Sequence, residues 1–404
     1  MSWLTNLIEQ HKELESPQSF WLWSGLCTIS AVVKDNIWID RGGAYKLYPN
    51  IYVMLHADSG LKKGKPVSLA KELVKRVNNT RIISGRSSIQ GILKKLGTAY
   101  TVPGGKVVNR SVGFIVASEF SSSLVSDPAA MTILTDLYDR QWNEGEWESL
   151  LKMETFELKD PTISMLVATN EAHFEDFIAR KDIHGGFIGR MFVIAESEVE
   201  QLNPLIRRMK IVPDIEKLAV YLKEVAKLQG PFEDLEGTSA GKLYEDWYMH
   251  FYGMVKDQKI KDATGTIQRF GDSVLKVAIL LALADEPKLV IRESNMSMAI
   301  QICEKLISGV RKTTLGKVKK DDMNTNRKTI LINELMNRAG HSISRLQLNK
   351  QYWMHGNTNE WDDCIASIET AGMIIIESIG NQVIIRMPDT QYQEMKEYLE
   401  GKNK

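Results

Sequence analysis

The sequence predicts a mixed α/β fold, and three observations predict it. Short apolar runs separated by helical or loop stretches fill the region from Tyr48 to about Glu196, the alternation of a mostly parallel sheet. Helical periodicity alone continues from Ile211 to about Val318. The chain then closes on three short helices and two apolar strands. At 404 residues, 43% hydrophobic and 25% charged, it has material for a large core and roughly two to three domains.

Residues 1–45 are expected to form an N-terminal helical collar. Helical periodicity runs around Trp3, Leu4 and Leu7 and then around Phe20, Trp21, Leu22 and Leu26, and Pro17 is placed to start the second helix. Residues 46–205 form the α/β core, with strands at Ile51–Leu55, Val112–Ala117, Ile163–Ala168 and Met191–Ile194. Residues 206–316 form an all-helical lid, with helices over Ile215–Leu228, Ala240–Val255, Ile267–Ala284 and Asn295–Leu315.

The stretch 317–326, KVKKDDMNTN, is polar and reads as a linker. In 327–404, helices at Arg327–Arg338, Arg345–Tyr352 and Thr358–Thr370 precede the strands MIIIES and QVIIRM around Gly380-Asn381, with a C-terminal helix after them. Three helices plus a hairpin of this size is the winged-helix pattern.

Lysine plus arginine and aspartate plus glutamate number 51 each, so no overall field draws the chain to nucleic acid or an anionic membrane, and any DNA contact must be a local patch. Cys27, Cys303 and Cys364 are far apart with no CxxC spacing, which argues against a disulfide framework or a zinc site and for a reducing compartment. The first sixteen residues lack an export pattern, and the longest apolar stretch, Val277–Ala284, is too short to span a bilayer. A protein of the cytoplasm, without membrane partners, is expected.

The chemistry begins at Tyr48–Leu73, where a buried strand, a Gly/Lys/Ser-rich loop and a helix follow one another. Loop amides and a helix N-terminus together cradle phosphate. The pattern GxxxxGK[ST] is not matched cleanly, and two registers fit. Asp58, Ser59, Gly60, Leu61, Lys62, Lys63 and Gly64 can occupy the loop with Lys63 as phosphate lysine, leaving Gly64 where a metal-binding hydroxyl normally stands. Alternatively Gly64-Lys65 is the GK pair and Pro66 takes the hydroxyl position. The first keeps Gly60 at the tight turn and is preferred.

The strand SVGFIVASEF ends in Glu119, a carboxylate suited to polarise an attacking water, and Ser118 stands where an aspartate would hold magnesium. The strand Thr162–Thr169 ends in Asn170, an amide able to orient that water. Arg190 immediately precedes an apolar strand and can serve a neighbouring subunit's nucleotide as an arginine finger. Arg269, at the start of a lid helix, is a second phosphate-binding arginine, and Lys276 is a weaker candidate.

In this order the elements resemble AAA+ ATPases, specifically the phage and mobile-element replication ATPases of the MCM-like branch. Asp58-Ser59-Gly60-Leu61-Lys62-Lys63 is similar to that branch's Walker A loop, Ser118-Glu119-Phe120 to its Walker B end, Leu166–Asn170 to sensor 1, Gly189–Phe192 to its arginine finger, and Arg269 to sensor 2. The resemblance covers roughly residues 45–290, and Gly64 and Ser118 depart from it. It implies ATP and Mg2+ as cofactors, with Ser118 and Glu119 at the metal. It also implies a hexameric ring with Arg190 acting in trans, and loops that pull on single-stranded or forked DNA, with a replication initiator or primase as further partner.

The loop around Pro103-Gly104-Gly105-Lys106 and the segment 140–158, with Trp142, Trp147 and Lys152, are candidate DNA loops. In the winged helix, Arg345, Lys350, His355 and Arg386 are opposed by Asp362 and Asp363, so protein contact is as good a role as DNA reading. The expected function is an ATP-driven, ring-forming helicase of phage or mobile-element replication in a bacterial host. A helicase loader or regulatory ATPase is the alternative, and a DNA-binding adaptor without working nucleotide chemistry is a third.

Overall fold

The computed structural model describes the whole chain apart from residues 1, 78–79, 86, 99, 102–106, 109, 121–123, 125–126, 140–145, 151–154, 171–173, 175–185, 201, 204–211, 258–264, 311–319, 354, 381 and 402–404. It divides into two units, Met1–Leu306 and Ile307–Lys404.

The first unit is organised by a five-stranded parallel sheet: β1 (Tyr52–His56), β2 (Arg81–Ser84), β3 (Val112–Ala117), β4 (Thr162–Thr169) and β5 (Met191–Ala195), in the spatial order β5-β1-β4-β3-β2. Every residue of β1 and β4 is buried, as strands covered on both faces require. That is why these strands read as unbroken apolar runs.

One face is covered by α2 (Gln18–Val33) and α3 (Gly64–Val77), with α1 (Trp3–His11) packed on α2. The helices expected as a separate collar are therefore part of the main packing. In α2, Phe20, Trp21, Trp23, Leu26, Ile29 and Val33 are buried on all sides of the helix. Its Cys27 thiol donates to the Met165 carbonyl at 3.3 Å, and the Ser30 hydroxyl lies 2.7 Å from that of Ser164 on β4. Gly25 lets α1 approach: a β-carbon there would meet Leu4 Cδ2 at 2.5 Å.

On the other face lies α5 (Pro128–Tyr138), started by Asp127, whose side chain accepts from Ala129 N, and by Pro128 at its first position. Tyr52 Oη on β1 donates to its Leu134 carbonyl at 2.9 Å. Between β2 and β3 comes α4 (Ile89–Gly97), capped by Ser88.

The expected lid region supplies α6 (Ile215–Val225), α7 (Ser239–Asp257), α8 (Phe270–Asp285) and α9 (Glu293–Val310). Trp3 Nε1 donates to the Leu218 carbonyl of α6, and α1 packs against α8, so α6 and α8 belong to the main unit as well. No described helix is long and apolar enough to cross a membrane.

The second unit contains α10 (Lys320–Asn337), β6 (Ser342–Ser344), α11 (Arg345–Gln351), α12 (Thr358–Thr370), β7 (Ile375–Ile379), β8 (Gln382–Arg386) and α13 (Asp389–Gly401). Its strands form an antiparallel sheet in the order β6-β8-β7. Leu331, Leu335, Ile343, Leu348, Trp361, Ile365 and Ile385 make its core. A capping box between Asn357 and Glu360 starts α12. Residues 320–326 of the expected linker instead open α10, a stretch that no glycine or proline interrupts.

Candidate nucleotide site

The strand order places a crevice. The chain leaves β1 through α3 on one face to reach β2 at the far edge, and then returns through β3 and β4 before crossing β1 to reach β5. Connections therefore leave the carboxyl ends of the neighbours β1 and β4 in opposite directions. In open α/β sheets such a switch point is where ligands bind, outside the carboxyl ends of the strands.

The loop 57–63 lies there, between the end of β1 and Gly64, the first residue of α3. Gly60, at φ +105°, makes a turn that residues with a side chain rarely adopt, and Lys62 follows at φ +47°. Lys63 curls back into the loop, its Nζ donating to the carbonyls of Ala57 (2.8 Å) and Asp58 (3.1 Å). Burial lowers its pKa, opposed by the negative charges of Asp58 and Glu119. Lys65 is exposed on the first turn of α3, so the geometry favours the register with Lys63 as the loop's internal cation.

Ser118 and Glu119, both exposed, follow the end of β3, and Phe120 N donates to the Ala168 carbonyl at 2.7 Å, tying this corner to β4. Asn170 follows β4, whose Thr169 carbonyl accepts from Ala57 N at 3.4 Å. Lys63, Glu119 and Asn170 thus lie at the carboxyl ends of β1, β3 and β4. Ser59, Gly60 and Leu61 line the same loop.

Gly64 and Ser118, the two positions that depart from the metal-binding pattern, are neighbours: a β-carbon at Gly64 would lie 3.8 Å from that of Ser118. The residues at this point do not fit a magnesium ion held by protein. Gly64 brings no side-chain oxygen and Ser118 only a neutral hydroxyl, which leaves Glu119 as the single carboxylate of the three, and Asp58 and Glu119 both face Lys63. Among the described residues no group of three or more His, Cys, Asp or Glu side chains forms a metal set.

Sequence reasoning missed a clasp on this loop. Glu15, in the turn between α1 and α2, pairs with Lys62 and accepts from Asn203 N at 2.9 Å, while Ser16 Oγ donates to the Lys62 carbonyl at 3.4 Å. A glutamate forty-seven positions from its lysine leaves no local signal.

Arg269 is not brought to these strand ends, contrary to the expectation of a lid arginine over the chain's own phosphates. Its Nη1 donates to the Gly265 carbonyl at 3.1 Å, and it lies beside Gly186 and Arg190. Arg190 directly precedes β5, whose Met191 is level with Tyr52, so it sits at the amino end of the sheet. The loop 57–63 starts six residues further along β1, about 20 Å away. The reason is the docking of α8: Lys276 Nζ donates to the Asn50 carbonyl (3.0 Å) and Oδ1 (2.9 Å), just before β1, which fixes the start of α8 at the same end.

Arg190 is 7% exposed, its Nε 2.9 Å from both carboxylate oxygens of Asp139 and its Nη1 donating to the Gly186 carbonyl at 2.7 Å. In this structure it is an internal ion-pair partner and not an open guanidinium. Lys276, 1% exposed, lies 3.9 Å over the Tyr138 ring and belongs to the core.

Of the candidate DNA loops, 103–106, Trp142 and Lys152 lie outside the described residues. Trp147 is half-buried in a hairpin of Glu146–Leu150 with Thr155–Lys159, and hydrogen-bonds Asp136 of α5. In the second unit, Arg345 is paired with Asp362, with Nε 2.6 Å from Oδ1, and Arg386 lies 3.5 Å from Glu377. No family model matches this chain, and no curated protein is similar to it.

Proposed function

We propose that the chain is an ATP-binding, oligomeric motor of the AAA+ type that works on single-stranded or forked DNA as a replicative helicase. The observation that carries this reading is the convergence of Lys63, Glu119 and Asn170 on the carboxyl ends of β1, β3 and β4. In the reading, the Lys63 ammonium and the amides of loop 57–64 offset charge on the transferred phosphate. Asn170 orients a water, and Glu119 takes its proton as the water oxygen attacks the γ-phosphorus and the bond to the β,γ-bridging oxygen breaks.

Arg190 and Arg269, at the opposite end of the sheet, are too far from this loop to serve it. In the ring reading they belong to a boundary at which one subunit's arginines complete the site of the next, and Arg190 would have to leave Asp139 to act there. The helix-and-hairpin order of the second unit supports the winged-helix reading. The neutral pair Gly64 and Ser118 favours a second reading, a helicase loader or regulatory replication ATPase that binds ATP and DNA without unwinding.

The test is ATP turnover with and without single-stranded DNA in wild type, Lys63→Ala and Glu119→Gln, together with strand separation on a fork. DNA-stimulated turnover that collapses in both variants, with unwinding, is the expected result. Turnover without unwinding moves the assignment to the loader, and a folded protein without turnover removes the motor.

A further inference from the structure

We infer that this site holds its nucleoside triphosphate by lysine charge alone, without a metal ion bound by the protein, and that Lys62 and Lys65 stand in for that metal's two positive charges. The inference rests on the loop being a nucleotide site, and it adds how the phosphates are neutralised there.

The argument starts from the adjacency of Gly64 and Ser118. A magnesium ion in a phosphate site is ordinarily fixed by one or two protein oxygens besides the phosphates and water. Here the hydroxyl is missing from the helix and the carboxylate from position 118, at the same spot, and the carboxylates that remain, Asp58 and Glu119, face the Lys63 ammonium. Glycine is not demanded there by geometry either. Gly64 lacks the positive φ of Gly60, and a β-carbon would meet Ser118 at an ordinary contact distance. The backbone accepts a serine, yet none is present.

The same four positions carry three lysines. Lys63 is turned into the loop, whereas Lys62 and Lys65 flank it, both exposed, one on the loop and one beside Gly64 on the first turn of α3. Lysine is a compact point charge on a flexible stem, able to reach a phosphate oxygen without fixed coordination geometry. Two of them supply the charge of one divalent ion. Lys62 is held by Glu15 and by the contact of Ser16 with its carbonyl, so phosphate competes with Glu15 for its ammonium.

The experiment measures the Kd of ATP carrying a ribose fluorophore in excess magnesium and in excess EDTA, with circular dichroism as the control for folding. The wild-type Kd is expected to change less than about threefold on chelation, and Lys62→Gln/Lys65→Gln to lose about tenfold or more in EDTA. Gly64→Ser/Ser118→Asp, which rebuilds both oxygens, is expected to gain about a tenfold dependence on magnesium. A wild type that loses tenfold on chelation, as ordinary magnesium-dependent sites do, overturns the inference and leaves the nucleotide site standing. No binding in either buffer by a folded protein overturns both.

Discussion

Arg190 and Arg269 approach the same glycine from two different elements: a β-carbon at Gly186 would lie 2.8 Å from Arg190 Nη1 and 3.8 Å from Arg269 Nη2. Guanidinium groups drawn together repel unless an anion lies near, and Asp139 supplies its carboxylate to Arg190. A phosphate of a neighbouring subunit would supply more. Mixing subunits tests this. Lys63→Ala and Arg190→Lys, each expected to be inactive alone, should recover turnover when combined, because about a quarter of the boundaries in a random ring pair an intact loop with an intact arginine. Lysine keeps a cation against Asp139 while removing the bidentate fork. An inactive mixture of folded, assembled proteins would show that Arg190 acts only inside its own subunit.

The two glycines of the phosphate loop should respond differently to alanine. Gly60, at φ +105°, sits where a β-carbon strains the backbone whatever the space around it, whereas Gly64 is helical and has room. Gly60→Ala should weaken nucleotide binding by about tenfold or more, and Gly64→Ala should stay within about twofold, since no hydroxyl is lost. Titration with labelled ATP decides it, and equal losses in both would contradict the proposed loop geometry.

What the sequence made legible follows from which signals are local. Strands β1, β3, β4 and β5 could be read because burial on both faces leaves unbroken apolar runs, but β2, the short edge strand RIIS, left no such run. The periodicity around Phe20, Trp21, Leu22 and Leu26 marks a helix, and only the fold shows that α2 is buried on every side. Glu119 and Asn170 could be placed because each follows the end of a strand, and Lys63 because it closes the glycine-containing loop between a strand and a helix. The place of Arg269 was not, because it depends on Lys276 docking against Asn50, a contact 226 positions long.

In the second unit, Arg345 and Asp362 neutralise one another on adjoining helices, α11 and α12. If this unit meets DNA through that face, Asp362→Asn should free one cation for a phosphate. DNA binding by the full chain should then depend more steeply on salt, by about one unit in the slope of log K against log salt. An unchanged slope and affinity would indicate that the face contacts protein or nothing.

Lys276 gives the first unit a pH dependence whose sign is fixed by its surroundings. Burial pulls its pKa from 10.5 to about 7, against the raising influence of Asp272 and Asp139, while Arg190 lowers it further. Below about pH 7 the lysine is charged in both folded and unfolded chains, so its burial destabilises the fold by a constant amount. Above it the folded form releases the proton while the unfolded form keeps it up to its ordinary pKa, so the unfolded chain binds more protons and stability rises with pH. The gain is about 2 kcal/mol between pH 7 and 9 for this group alone. The neutral amine still donates to Asn50, so the contact survives titration. Lys276→Met, close in volume and without a charge, should flatten the rise in Tm over that range, while leaving Asn50 short of a donor and Tyr138 of its cation. Thermal unfolding of both proteins from pH 6 to 9 reads this directly. Parallel curves would place the charge of Lys276 in contact with solvent or another anion, and remove it from the core position assigned here.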